Sequence, residues 1–156
     1  MIIALFEDER CFDLLPLVYS RPVFGLRTGI FERFESYFND SRKILFVRDY
    51  LTEKVKAEYG RPVNETEEID EDVLFLNGSL IIDHDLRDFM VSEASKDVVV
   101  TADKRVVSIH LHERKAVEFS EELEGKPLSR SILKDRDLKK VELTEAPLIR
   151  YPWDLV

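Results

Sequence analysis

The stretch from Leu14 to Ile30 reads Leu-Leu-Pro-Leu-Val-Tyr-Ser-Arg-Pro-Val-Phe-Gly-Leu-Arg-Thr-Gly-Ile, and it holds the residues best suited to chemistry. Arg21 and Arg27 are the only basic side chains between Cys11 and Arg33. A guanidinium presents a planar fork of N–H donors that matches two phosphate oxygens at once. A helix opening at Ile30 aims its first backbone amides toward the same space. Two readings stand side by side. The arginines clamp a phosphate-bearing ligand in a cleft, or they pair with Glu7, Asp8 or Asp13 and hold the loop.

Other candidates carry less. His110 and His112 fall on one face of a predicted strand with Glu113 next in line, a spacing that can hold a transition metal. No third ligand is evident, and solvated histidines are the commoner occupants of such a face. Ser129 and Ser131 flank Arg130 without a companion base or the glycines of a nucleophile elbow, so the pattern does not point to a hydrolase triad. Cys11 is the single cysteine and forms no internal disulfide.

The elements that must position these residues follow from periodicity. Ile2 to Phe6 is an unbroken apolar run ending at Glu7 and Asp8, the pattern of a strand buried on both faces. Glu9 to Gly29 has no clean period and reads as a long ordered loop, a length that within a compact domain is usually functional. Ile30, Phe31, Phe34, Tyr37 and Phe38 mark an amphipathic helix whose aromatic stripe faces a core. Lys43 to Val47 predicts a second strand, and Leu51, Val55 and Tyr59 a second helix ended by Gly60 and Pro62.

After an acidic, solvated connector from Glu65 to Asp72, Val73 to Leu76 predicts a third buried strand closing at Asn77-Gly78-Ser79. Leu86, Phe89 and Met90 mark a short helix with Asp85 as its expected cap. Val98 to Thr101 and Val106 to Leu111 predict an antiparallel hairpin. Its second arm alternates, with Val107, Ile109 and Leu111 opposite Ser108, His110 and His112, so one face is expected to be exposed. Glu113 to Lys126 predicts a charged helix or turn, and Lys139 to Leu143 an edge strand. The expected fold is α/β: a Rossmann-like three-layer sandwich with a mainly parallel sheet plus an antiparallel hairpin, in one domain over 1–156.

The bulk numbers bound the function. The 156 residues carry 23 basic and 32 acidic side chains, a net charge of −9, which removes any general attraction for a nucleic-acid backbone. A local cluster of arginines can still bind a small phosphorylated ligand at short range. The apolar run that stops at Phe6 predicts no secretory leader, no stretch is long enough to span a membrane, and the cytoplasm is the expected compartment. Leu148, Ile149, Tyr151, Trp153, Leu155 and Val156 crowd the carboxyl terminus, so that segment is expected to be ordered. It either fills the core or docks on a partner subunit or a second copy.

The order of short motifs resembles the archaeal and bacterial sugar nucleotidyltransferases related to the pyrophosphorylase half of bifunctional GlmU. It runs through Leu15-Pro16-Leu17, Arg21-Pro22-Val23, Leu26-Arg27, Gly29-Ile30, Asp49-Tyr50-Leu51, Leu76-Asn77-Gly78 and Pro152-Trp153-Asp154-Leu155. The resemblance implies a reaction in which a sugar 1-phosphate, a hexosamine derivative in the nearest subgroup, attacks the α-phosphate of a nucleoside triphosphate and releases pyrophosphate. It makes Arg21 and Arg27 the catalytic phosphate clamps and adds Leu15, Pro16, Pro22, Gly29, Asn77 and Gly78 to the substrate site. It also implies Mg²⁺, with Asp83 or Asp85 reaching the metal.

Three departures stand against that pattern. Glu7 to Phe24 contains no glycine, Val23 follows Pro22 where the superfamily has a lysine, and Ser79 replaces the metal-binding aspartate after Asn-Gly. The superfamily continues beyond the hairpin into the rest of a sugar-binding half, and in bifunctional relatives into a left-handed β-helix. The alternative expectation is a degenerate, non-catalytic nucleotide-binding or subunit-interaction domain.

Overall fold

A computed structural model describes residues 1–26 and 29–155. The sheet has six strands: β1 (Ile2–Phe6), β2 (Lys43–Leu45), β3 (Val73–Asn77), β4 (Val98–Ala102), β5 (Arg105–Leu111) and β6 (Lys139–Leu143). Their spatial order is β2-β1-β3-β5-β4-β6. β1 pairs in parallel with β2 and β3, and β4 in parallel with β6, while β5 alone runs against its neighbours β3 and β4. This is the expected α/β fold with a mainly parallel sheet and one antiparallel hairpin.

Two apolar clusters cover the two faces of the sheet. On one face α1 (Ile30–Tyr37), α2 (Thr52–Tyr59) and α3 (His84–Glu93) contribute Ile30, Phe34, Val55 and Met90. On the other, α4 (Glu113–Leu123) contributes Ala116, Phe119 and Leu123, with Phe119 edge-on to Phe75 of β3. The expected aromatic stripe of α1 is thus core. Lys43, at the start of β2, donates through Nζ to the carbonyls of Phe38 at 2.6 Å and Ser41 at 3.1 Å. It thereby satisfies a carbonyl at the end of α1 that would otherwise be orphaned.

The structure corrects four local readings. The segment Glu9–Gly29 is not simple loop: two 3₁₀ turns, Glu9–Leu14 and Val23–Gly25, let Cys11, Leu14, Val18, Val23 and Phe24 pack into the core. The cap of α3 is Asp83, whose Oδ1 accepts from the Leu86 amide at 2.9 Å, because Asp85 already lies inside the first helical turn. The second arm of the hairpin is buried on both faces. Ser108 and His110 are each 1% exposed, since β5 is inserted between β3 and β4 rather than left at an edge. The acidic connector is tied down as well as solvated, with Asp70 and Glu71 both paired to Arg42 and Ile69 buried. β6, in contrast, is an edge strand as expected.

Candidate active site

In an open α/β sheet the carboxyl ends of the parallel strands form the natural crevice for a ligand. Here β1 runs directly into two buried carboxylates, Glu7 and Asp8, and each is held by a different arginine. Glu7 accepts from Arg48 Nε and Nη2, both at 3.1 Å, and from the amide of Val23 at 2.9 Å. Arg48 follows β2, so this pair fastens the end of β2 and the Arg21-Pro22-Val23 loop to the end of β1. Its Nη2 also donates to the Arg21 carbonyl at 3.0 Å.

Asp8 is held from the other side. Because β5 is antiparallel, its first residue, Arg105, arrives at the carboxyl ends of β1 and β3. Its Nε and Nη2 lie 3.1 Å from Asp8, Nη2 donates to Ser79 Oγ at 2.9 Å, and Nη1 donates to the Ile149 carbonyl at 3.1 Å. Asn77 closes the ring. Its Nδ2 donates to Asp8 Oδ2 at 2.9 Å and to the Val106 carbonyl at 2.8 Å, while Oδ1 accepts from the Ser79 amide and hydroxyl. A carboxylate, a guanidinium, an amide and a hydroxyl are therefore fixed in one network by strands that are distant in sequence.

This network forms part of the wall of a cavity of about 280 Å³ between the end of β1, the β4–β5 turn and the carboxyl-terminal segment. Arg10, Lys104, Arg105, Arg130 and Arg150 line it together with Asp8, Glu9 and Asp103. Arg10 is paired with Asp13 and Arg150 with Asp103. Lys104 and Arg130 have no ion-pair partner among the described residues. In a chain of net charge −9 this is a concentration of cations. A second concavity of about 500 Å³ shares Lys104 and Arg130, adds Lys134 and Lys140, and is lined by no acidic residue among those described.

The sequence-predicted residues are distributed as follows. Arg21 is exposed and does not line the basic cavity, and Arg27 lies outside the described residues. Leu15 and Pro16 are exposed on the loop, whereas Pro22 is buried and Gly29, at φ 66°, precedes α1. Asn77 is in the network described above. Gly78 packs so closely that a Cβ there would fall 2.9 Å from Phe24 Cδ1 and 3.1 Å from the Phe6 carbonyl. Its missing side chain is what lets β3 turn beneath the loop. His110 Nδ1 lies 2.7 Å from the Lys96 carbonyl and His112 Nδ1 2.7 Å from Asp97, so each histidine has a local partner.

Burial, with Glu7 nearby, pushes the Cys11 thiol up to about 12, which leaves it protonated and poorly suited as a nucleophile. Sequence reasoning did not place Arg10, Lys104, Arg105, Arg130 or Arg150 at a site and named Asp8 only as a partner for the loop arginines. The one local signal was a Lys-Arg pair in the turn of a hairpin, and it gained meaning only once β5 was placed beside β3.

Of the three carboxylates that line the cavity, Asp8 and Asp103 are committed to protein cations and do not fit a protein-held Mg²⁺ ion, and a single carboxylate, Glu9, is left without an ion-pair partner among the described residues. Both oxygens of Asp8 accept from Arg105, with Asn77 on one of them, and Asp103 faces Arg150. Asp83 caps α3 and Asp85 is exposed beside it. Among the described residues no three His, Cys, Asp or Glu side chains converge as a metal-binding group. Nor, among them, is any helix long and apolar enough to cross a membrane.

Comparisons with solved structures find the same fold in other proteins. The chain is similar to 4-diphosphocytidyl-2C-methyl-D-erythritol synthase of Anaerococcus prevotii, with a TM-score of 0.55 and 13% identity, covering 99% of this chain and 94% of that one. It is similar to an Rv0371c homologue of Mycobacterium sp. strain JC1 at 0.55 and 10%, covering 98% and 92%. It is also similar to Rv0371c of Mycobacterium tuberculosis at 0.53 and 12%, covering 98% and 94%. At these identities the likeness speaks for the fold. No curated protein sequence gives a significant match. The model of one sequence family, described as sugar nucleotidyl transferase, matches residues 3–156, and by that match over nearly its whole length the chain belongs to the sugar nucleotidyl transferase family.

Proposed function

We propose that this chain joins a nucleotidyl group to a sugar 1-phosphate at the carboxyl edge of its sheet, with the basic cavity receiving phosphate groups. The observation that carries the reading is the convergence of Arg10, Lys104, Arg105, Arg130 and Arg150 at the ligand crevice of an otherwise acidic member of this family. In such a transfer a phosphate oxygen of the sugar 1-phosphate forms a bond to the α-phosphorus. The bond from that phosphorus to the bridging oxygen breaks, and pyrophosphate leaves with the electron pair. No covalent protein nucleophile is required. Positioning and neutralisation of charge on the phosphate oxygens supply the catalysis.

Arg105, fixed by Asp8, Ser79 and the Ile149 carbonyl, is already oriented and loses little freedom when a phosphate arrives. Arg21 and Arg27 stay in this reading as a second pair of phosphate contacts from the loop. The GlmU-like subgroup and a hexosamine 1-phosphate are its finer form.

The test is pyrophosphorolysis by the purified protein over a panel of nucleotide sugars, run with and without Mg²⁺. Release of a nucleoside triphosphate from one of them, reduced by at least about 100-fold in Arg105→Gln, is the expected result. Inactivity across the panel would instead favour a reduced, non-catalytic member of the family. One observation favours that second reading: Phe12, Leu15, Leu17, Tyr19 and Tyr50 are large apolar or aromatic side chains left exposed around one loop. Such a patch is of the kind that marks a protein–protein interface.

A further inference from the structure

Three features of the β4–β5 turn and its surroundings point the same way. First, Asp103 and Lys104 both adopt positive φ, 51° and 61°. A two-residue turn of this hand is served best by glycine at its second position, so a lysine held there sits against its own backbone preference. Second, Arg105 has five N–H donors, of which Asp8, Ser79 and Ile149 take four. The fifth, on Nη1, has no acceptor among the described residues, and Arg105 is one of the residues that line the cavity. Third, Arg130 and Lys104 bridge the cavity to the neighbouring concavity, where Lys134 and Lys140 extend the cationic strip.

We infer that this strip is a polyphosphate-binding site which receives its anion directly on Lys104, Arg105 and Arg130, without a bridging divalent cation. The inference rests on reading the cavity as the family's ligand site and specifies how that site meets charge. Ser79 stands where the resemblance places a metal-binding aspartate, and the Arg105 guanidinium is bonded to Ser79 Oγ and to both oxygens of Asp8. The position that would call for a metal is therefore taken by a fixed protein cation. A chain of phosphates several oxygens long matches a strip of cations better than a single phosphate does, because each added phosphate meets a further lysine or arginine.

The experiment is titration calorimetry of the intact chain with inorganic tripolyphosphate, in EDTA and then in excess Mg²⁺, paired with thermal melting. Binding in EDTA at least as tight as in Mg²⁺ is expected. Lys104→Gly is expected to weaken it about tenfold while raising Tm by about 2 °C, since glycine relieves the turn. Arg130→Gln is expected to weaken binding to a similar degree with Tm unchanged. A residue that served only the fold would not lose affinity while gaining stability. Binding seen only with Mg²⁺, no binding at all, or unchanged affinity in both variants would overturn the inference. Nucleotide-sugar turnover with Mg²⁺-dependent tripolyphosphate binding would sink this inference and leave the transferase reading intact. Metal-free binding without turnover would do the reverse.

Discussion

At the scale of single residues, the pair that holds the site together is Glu7 and Arg48, not an arginine of the loop. Their side chains are 1% and 4% exposed, so both charges have left water. Such a pair offsets its own desolvation only with good geometry and further hydrogen bonds. Here Glu7 has them: Oε1 also takes the Val23 amide, and Arg48 Nη1 donates to the Tyr50 hydroxyl at 2.7 Å. Removing one partner strands the other, and Glu7→Gln or Arg48→Met alone is expected to cost about 3–5 kcal/mol in denaturant unfolding. The double variant Glu7→Gln/Arg48→Met is expected to cost clearly less than the two added together. Strict additivity would show that the pair contributes no coupling. The sequence could suggest that Glu7 wants an arginine. It could not say which, because Arg48 reaches Glu7 only through the parallel pairing of β1 with β2.

At the scale of elements, the alternation and apolar runs made most of the fold legible, and the misreading that bears most on the site, that of β5, has a plain physical origin. Period-2 alternation predicts a half-exposed strand only when one face meets water. β5 has the alternation, but the crossover that sets it between β3 and β4 buries Ser108 and His110 regardless. The same crossover delivers Arg105 to the site, so the strand that periodicity misjudged is also the one whose function it could not announce. The junction of the hairpin with α4 carries a pH-sensitive contact. Asp97 accepts from the His112 amide at 3.0 Å and pairs with Lys115 at 2.6 Å. Burial pushes its carboxyl upward, but the bonds from Lys115 and His112 outweigh that and bring it down to about 2 from 3.8. A carboxyl depressed in the folded state adds stability that is fully present above the unfolded value and is lost as pH falls through the folded one. Discounted for solvent screening, the contribution is about 1 kcal/mol. Unfolding of the wild type and Asp97→Asn should therefore differ at neutral pH and converge between about pH 4 and pH 2. A constant gap across that range would assign the effect to packing instead.

At the scale of the whole molecule, the carboxyl-terminal segment is a wall of the site rather than an appendage. Residues 146–149 run alongside 79–82. The Ile81 amide donates to the Pro147 carbonyl, the Ile149 amide donates to the Ser79 carbonyl, both at 2.8 Å, and Leu80 bridges Leu148. Leu148 and Ile149 are buried, the Ile149 carbonyl holds Arg105, and Arg150 pairs with Asp103 of the β4–β5 turn. Beyond that point burial is only partial: Trp153 is 68% exposed and stacks on Tyr151 at 4.7 Å, while Leu155 is half-buried against the core. The clustering of apolar residues from Leu148 onward thus divides into a core half and a surface half, a division that composition alone does not reveal. Removing residues 151–156 takes away the exposed Tyr151 and Trp153 and the half-buried Leu155, and is expected to lower Tm only slightly. Removing residues 147–156 also strips Leu148 and Ile149 from the core, at about 1.5–3 kcal/mol each, and frees Arg105 and Asp103 from their backbone and ion-pair partners. Against a total stability of about 5–15 kcal/mol that loss is large enough to lower Tm sharply or prevent folding. Thermal melts of the two truncations decide the matter. Equal melting temperatures would mean that the segment is not part of the core, and the site would then have to be drawn without Ile149 and Arg150.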